Sequence, residues 1–229
     1  MYFPWVGMLE QISLADTFVH YDDVQFSRGF FNRVQVKTSS GIQWLTVPIK
    51  RHHQKQNIDE IYIDNTQDWR GRHLKILSHA YRSSPYYDDM IHIVENIIEK
   101  NVEKLSDLTR SSMLALVSYF GLKAPRFLSS NTLEVDGESS KRIFDIVKTL
   151  KGNVYVTGHG AKNYLDHEMF ENSGISVRYM KYECLPYQQL HGEFTPFVSS
   201  LDLIANCGRE GVKVIRSKSI PWREFVRER

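Results

Sequence analysis

Asn153-Val154-Tyr155-Val156-Thr157-Gly158-His159-Gly160-Ala161-Lys162 decides the fold class. Five residues rich in β-branched and aromatic side chains predict a buried strand. Gly-His-Gly ends it, and Gly160–Asn172 reads as a helix stopped by Gly174. Working outward, Ile175–Tyr182 is a second strand. Upstream, Ser139–Leu150 is a helix capped by serine, and Arg126–Ser129 is a strand. A β-α-β-α-β order predicts an α/β fold with a mostly parallel, doubly wound, Rossmann-like sheet.

The first half extends the same pattern. Val6–Ala15 reads as a helix and Thr17–Tyr21 as a short strand. Phe31–Thr38 and Gln43–Ile49 flank Ser39-Ser40-Gly41, which predicts a hairpin. Ile58–Ile63 alternates like a third strand after the polar loop Arg51–Asn57. The middle is helical over Trp69–Tyr81, Tyr86–Lys100 and Leu105–Phe120, with Gly121 as a stop. This reads as one continuous α/β domain with a helical insertion at about residues 69–121. Ser199–Asn206 reads as a short helix, followed by a loose basic tail.

Composition excludes several classes. The chain has 229 residues, of which 41% are hydrophobic and 24% charged, so it can bury a sizeable core. A net charge of +2 is too small for a surface built to coat nucleic acid. No apolar run is long enough for a membrane span, and no secretory leader layout is seen, so a cytoplasmic protein is expected. Cys184 and Cys207 form neither a CxxC pair nor a disulfide framework, and read as free thiols.

Candidate chemistry gathers in three places. Tyr2-Phe3-Pro4-Trp5-Val6-Gly7, Tyr21-Asp22-Asp23-Val24-Gln25-Phe26 and Phe31-Asn32-Arg33 bring turn residues, aromatics, acids and an Asn-Arg pair close together in the chain. Asp22 and Asp23 follow a predicted strand, where carboxylates can hold Mg²⁺ on a nucleotide, bind an amine or accept sugar hydroxyls. A solvated turn is the alternative. The second place is Gly158-His159-Gly160-Ala161-Lys162, where free amides and a lysine suit phosphate or carboxylate, or simply make a tight turn. It is neither a P-loop nor a dinucleotide fingerprint. Trp69-Arg70-Gly71-Arg72-His73, with Lys75, Tyr81 and Arg82, is either an anion-binding helix face or a solvated basic one. The nine histidines form no metal motif; His159 and His191, each beside a glycine, are the candidates for exposed acid/base groups.

These segments, with Leu14-Ala15-Asp16, Trp44-Leu45-Thr46-Val47-Pro48, His73-Leu74, Tyr81-Arg82, Lys162-Asn163-Tyr164-Leu165 and Phe197 through Gly208, resemble the WbqC-like protein family. The resemblance spans nearly the whole chain. Members typically begin with a short strand and a His-Gln-Pro-Asn-like segment before the tyrosine, whereas this sequence begins at Met1-Tyr2. Members resemble proteins encoded with bacterial O-antigen and other surface-polysaccharide genes, some described as glycine transferases acting on a deoxyamino sugar. The resemblance therefore implies an acyl or aminoacyl transferase acting on a nucleotide-linked amino sugar. The early strand-turn-helix-strand order is also similar to nucleotidyltransferase-like (HUP) folds, some of which form amides through an acyl-adenylate with ATP and Mg²⁺. The expected catalytic residues are Asp22 or Asp23 as the base and Arg33, with Lys162 as the alternative, to stabilise an oxyanion or hold phosphate. Tyr2, Trp5, Gln25, Asn32, His73, Arg82, Gly158, Gly160 and Lys162 are the expected substrate-binding residues. Two other readings stay open: a non-catalytic nucleotide-sugar-binding or assembly protein, and a nucleotidyltransferase-like enzyme that releases pyrophosphate. The sequence leaves the oligomeric state open.

Overall fold

The computed structural model describes every residue except Ala124, Glu228 and Arg229. The chain divides into two compact units. The first comprises residues 1–9, 22–124 and 184–215, and the second residues 10–21, 125–183 and 216–229.

In chain order the elements are α1 (Val6–Ser13), β1 (Thr17–His20), β2 (Arg33–Thr38), β3 (Gly41–Thr46), α2 (Trp69–Tyr81), α3 (Tyr87–Ile98), α4 (Leu105–Tyr119), β4 (Arg126–Ser129), α5 (Ser139–Thr149), β5 (Val154–Thr157), α6 (His167–Asn172), β6 (Ser176–Tyr182), α7 (Ser200–Cys207), β7 (Ser217–Pro221) and α8 (Trp222–Arg227). No helix among the described residues is long and apolar enough to cross a membrane.

The first unit is built on the β2–β3 hairpin and helices α2, α3, α4 and α7. Thr38 pairs with Gly41 across a two-residue turn, and Gly41 takes a positive φ of 106° that a side chain would resist. One face of β2 is apolar, and Val34 and Val36 are buried. Helix α3 carries Met90, Ile91, Val94, Ile97 and Ile98 on one stripe and packs against α2, α4 and α7. Asp68 caps α2, its carboxylate accepting from the Gly71 amide at 3.0 Å. Gly121 ends α4 with φ 58°.

The second unit carries two small sheets. β1 and β4 form a parallel pair, with Thr17 opposite Arg126. β6 lies between β5, to which it is parallel, and β7, to which it is antiparallel. The core beneath the three-stranded sheet is Phe144, Phe170, Ile175, Val177, Tyr179, Ile220 and Phe225. Tyr179 and Phe225 stack with ring centroids 4.1 Å apart.

The architecture is therefore mixed α/β, but one continuous doubly wound sheet is not seen among the described residues. β4 turns to β1 rather than to β5, and the chain's last strand closes the other sheet antiparallel. Four local expectations also change. Ile58–Ile63 is a short 3₁₀ turn over Ile58–Glu60, because the Asn57 amide donates to the Glu60 carboxylate at 2.9 Å in a capping box that outcompetes the strand. Gly160–Asn172 is not one helix: a 3₁₀ turn, His159–Asn163, precedes α6, which Asp166 starts by accepting from the Met169 amide at 3.1 Å. Glu138, not a serine, precedes α5, with no side-chain cap bond. The tail is ordered as a 3₁₀ turn (Gly208–Val214), β7 and α8.

Candidate functional site

The candidate site of the first unit is an acidic corner formed where residues 22–26 run alongside residues 56–59. Backbone bonds fix the two segments together. Phe26 donates to the Gln56 carbonyl at 2.9 Å, Ile58 to Val24 at 3.0 Å, and Asp59 to Asp22 at 2.9 Å. Gln25 pairs with Asn57 across this ladder, and its amide donates to the Gln54 carbonyl at 2.5 Å. The sequence fixes this corner through the capping box at Asn57, which turns the chain and delivers Asp59 to the Asp22 backbone.

Charge at the corner is mostly negative. Asp22 Oδ2 accepts from Arg110 Nε of α4 at 2.6 Å, with both side chains more than two-thirds buried. Such a charge-assisted bond fixes the carboxylate and neutralises it. Burial pushes the Asp59 carboxyl above the usual carboxylate range. The neighbouring Asp23 and Glu60 add to the rise, and Lys104 opposes it. A carboxyl raised in this way is a better proton acceptor than an ordinary exposed aspartate. Asp22, Asp23, Asp59 and Glu60 thus lie along the corner with Arg110, Lys104 and the exposed Gln25, and the arrangement suits a cationic or amine-bearing ligand.

The other expected residues of this unit are placed as follows. Tyr2 and His73 lie in the core. The Tyr2 phenol meets His73 Nδ1 at 3.1 Å, and His73 Nε2 meets the Thr46 carbonyl at 3.2 Å. A carbonyl only accepts, so Nε2 carries the proton and Nδ1 accepts from the phenol. Burial holds the His73 pKa down at about 4, so the ring is neutral. Asn32 is buried in the same way, donating through Nδ2 to the Val47 carbonyl at 2.9 Å while its own carbonyl accepts from Val47 at 2.8 Å. It fixes the open end of the hairpin. Arg33 is exposed on β2, its guanidinium 4.3 Å above the Trp44 ring. Trp5 folds over Gly7 and meets Phe197 at 5.8 Å. Arg82 is exposed at the end of α2. The cations at the start of α2 are engaged locally: Arg70 with the Ile98 carbonyl and Asn65, Arg72 with the Asp68 carbonyl and Gln67. Asp22, Asp23 and Gln25 thus share the corner, while Tyr2, Asn32 and His73 pack in the unit's interior.

Gly158, Gly160 and Lys162 belong to the second unit. The turn they occupy is 3₁₀, so it presents no α-helical N-terminus. His159 is held within it, Nε2 donating to the Met180 carbonyl at 2.7 Å. A Cβ at Gly158 would meet the Tyr182 phenol oxygen at 3.1 Å, whereas Gly160 faces open space and Lys162 is half-buried. His191, in the first unit, likewise donates to a carbonyl, that of Ala80, at 2.7 Å.

The comparison that decides kinship is at the level of the whole chain: the profile of the WbqC-like protein family matches residues 1–214. This chain belongs to the WbqC-like protein family. A second comparison is with the uncharacterised protein Rv1507c of Mycobacterium tuberculosis, strain H37Rv. It is 34% identical over 221 residues, covering 94% of each chain. No solved structure matches this WbqC-like chain.

Sequence reasoning missed Asp59, Lys104 and Arg110. The signal for Asp59 was the Asn57-x-x-Glu60 box that encloses it, whereas Arg110 has none, because it comes from α4, 88 positions from Asp22. It also missed Asp202, a fully buried acid in the otherwise apolar run Leu201-Asp202-Leu203-Ile204-Ala205. Cys184 and Cys207 are both half-buried. Burial, with the carboxyl of Asp202 nearby, raises the Cys207 pKa and makes it a poor nucleophile.

Proposed function

We propose that this WbqC-like protein is a transferase that forms an amide on the amino group of a nucleotide-linked sugar, as an acyl or aminoacyl donor would in bacterial surface-polysaccharide assembly. The observation that carries this reading is the acidic corner, where Asp59 has a raised pKa beside Asp23 and an Asp22 fixed by Arg110. An amine attacks only when neutral, so the acceptor ammonium must lose a proton before the new C–N bond forms. Asp59 is the base in this reading, and Asp23 attracts the ammonium form into the site.

With ATP as co-substrate, the donor carboxylate displaces pyrophosphate to give an acyl-adenylate. The amine then attacks the acyl carbon and AMP leaves with the bonding pair. Among the described residues no three carboxylate, histidine or thiol groups converge as a metal site. Asp22 is spent on Arg110, so the corner does not fit a resident Mg²⁺ and no step is assigned to one. The kinship with Rossmann-like or HUP-type sheets belongs to this proposal as well, supported by the parallel pairs β1–β4 and β5–β6.

The test is a thermal-shift screen against nucleoside-diphosphate amino sugars, followed by mass spectrometry of the sugar after incubation with glycine and ATP. The reading expects stabilisation by an amino sugar but not by its N-acetylated or hydroxyl analogue, and loss of product in Asp59→Asn. Binding without product under every acyl donor leaves a nucleotide-sugar-binding protein, the reading favoured by the neutralised Asp22. Pyrophosphate release without an amide product indicates a nucleotidyltransferase-like enzyme.

A further inference from the structure

Residues 183–198 contain no helix or strand. The segment instead folds around one side chain. Gln189 Nε2 donates to the Tyr187 phenol oxygen and to the Thr195 carbonyl, both at 3.0 Å, and its Oε1 accepts from the Thr195 amide at 2.9 Å. His191 and Gly192 take positive φ values of 66° and 90°, which gives the reversal at the tip.

Two contacts with the rest of the unit grip this loop. The ammonium of Lys37, on β2, donates to Gln189 Oε1 at 3.2 Å, to the Gly192 carbonyl at 2.9 Å and to the Glu193 carbonyl. The second grip is the His191 bond to the Ala80 carbonyl at the end of α2. The downstream end is anchored separately. The Ser199 amide donates to the Gln35 carbonyl and its hydroxyl to the Phe3 carbonyl, each at 2.8 Å. Upstream, Cys184 has φ 48°, a left-handed conformation uncommon for a residue with a side chain.

Asp202 lies beneath, fully buried. Its Oδ1 accepts from Asn206 at 3.3 Å, while Oδ2 has no donor in good geometry. The phenols of Tyr187 and Tyr81 and the Lys37 ammonium all act on this carboxyl, yet burial outweighs them and its pKa stays raised. Lys37 N–H already donates to the Tyr81 oxygen at 3.2 Å, and Gln189 to the Tyr187 oxygen, so both phenols keep their own protons to offer. A carboxylate oxygen outside good hydrogen-bond geometry in the dry interior is costly. Opening the loop would hydrate it. Opening would break a handful of polar bonds and the Trp5–Phe197 ring contact but no ladder, which is the profile of a locally unfolding unit.

We propose that residues 185–197 are a lid, latched by Lys37 and His191, that opens as a unit and gives solvent and ligands access to the Asp202 carboxyl.

The experiment is hydrogen exchange on the full chain at neutral pH, read at the bonded Thr195 amide and at amides within α7 and β2, alongside carbodiimide and glycinamide labelling of Asp202. In the wild type Thr195 exchanges at least tenfold faster than the slowest amides of α7. Lys37→Met raises the Thr195 rate a further tenfold or more, leaves α7 and β2 unchanged, and raises Asp202 labelling in parallel. His191→Ala gives the same pattern more weakly, and is the variant to read if Lys37→Met does not fold. Equal protection of Thr195 and α7, equal loosening of both by the variants, or an unlabelled Asp202 under a freely exchanging loop would each overturn the proposal.

Discussion

Tyr2 and His73, 71 positions apart, are joined by a buried hydrogen bond of 3.1 Å, and the far side of the same ring donates to the Thr46 carbonyl. One imidazole therefore ties the first residues of the chain to α2 and β3. Trp69 packs edge-on against both rings, at 6.4 Å from Tyr2 and 5.2 Å from His73. Tyr2→Phe keeps this packing and leaves Nδ1 without its donor. We expect a loss of about 1–2 kcal/mol in chemical denaturation, with no change in the binding of an amino-sugar ligand. A loss of binding at unchanged stability would move Tyr2 from the core to the site.

The same pair sets an acid limit. Burial lowers the His73 pKa from 6.5 to about 4, so the unfolded chain binds the proton more readily than the native one across that window. The stability associated with the neutral ring is complete above pH 6.5 and is lost as pH falls through 4. Denaturation curves of the wild type should weaken by about 2–3 kcal/mol from this group between pH 6.5 and 4. In His73→Gln that slope should flatten. A wild type and a variant with parallel pH profiles would show that His73 titrates normally.

Glu10 tilts the second unit the opposite way. Its side chain is 98% removed from solvent, with Oε1 lacking a partner. Burial and the nearby Glu183 raise its pKa to about 7, against the pull of the Arg216 backbone and the Ser217 hydroxyl. Here the native state holds the proton more tightly than the unfolded one. The contribution is therefore full below about pH 4.5 and fades as pH rises through 7. Glu10→Gln mimics the protonated carboxyl, and should stabilise the chain by about 1–2 kcal/mol at pH 8 while changing little at pH 5. A variant equally destabilised at both pH values would mean that the ionised carboxylate is the form the fold uses.

Gly7 is required by an aromatic ring rather than by backbone conformation. A Cβ there would sit 2.4 Å from two atoms of the Trp5 ring, so the indole has to swing off α1. That motion separates it from Phe197. Gly7→Ala should cost about 1–3 kcal/mol despite alanine's better helix propensity, with a red-shifted Trp5 emission. The emission is best read with Trp44, Trp69 and Trp222 replaced by phenylalanine. A stabilised variant would show that the ring relocates freely.

Legibility in the sequence followed the range of the interactions. Helix α2 begins and ends at the residues its periodicity marks, because Asp68 and the apolar Leu77, Ala80 and Tyr81 are local signals. Strand β7, Ser217–Pro221, was read as loose tail because Ile220 is its one β-branched residue, but the other strands were equally visible. Their partners were not: β4 pairs with β1 across more than a hundred positions, a choice that nothing in either segment encodes. Ile58–Ile63 shows a different failure, since its alternation is real but Asn57 and Glu60 satisfy the backbone first. At the site, Asp22 and Asp23 stood out because they are adjacent. Asp59 joins them through a turn, and Arg110 through helix packing. The motif residues Tyr2, Asn32 and His73 were legible as unusual, but their hydrogen-bonding groups are turned inward to hold the hairpin and α2.

The electrostatics of the acidic corner can be checked without a substrate. Burial is the largest cause of the raised Asp59 pKa, and Asp23 and Glu60 add to it while Lys104 counters it. Carboxyl ¹³C titration should place the Asp59 midpoint above that of an exposed aspartate. Asp23→Asn removes the nearest repulsion and should lower the midpoint only in part, because the burial remains. Lys104→Met removes the opposing cation and should raise it further. The two shifts have opposite signs and share one reporter, so a general loosening of the loop, which would hydrate Asp59 and lower its midpoint in both variants, is distinguished from the charge effect. A midpoint at the ordinary aspartate value in the wild type, or one that falls in Lys104→Met, would remove Asp59 as a proton acceptor and leave the corner as a solvated turn.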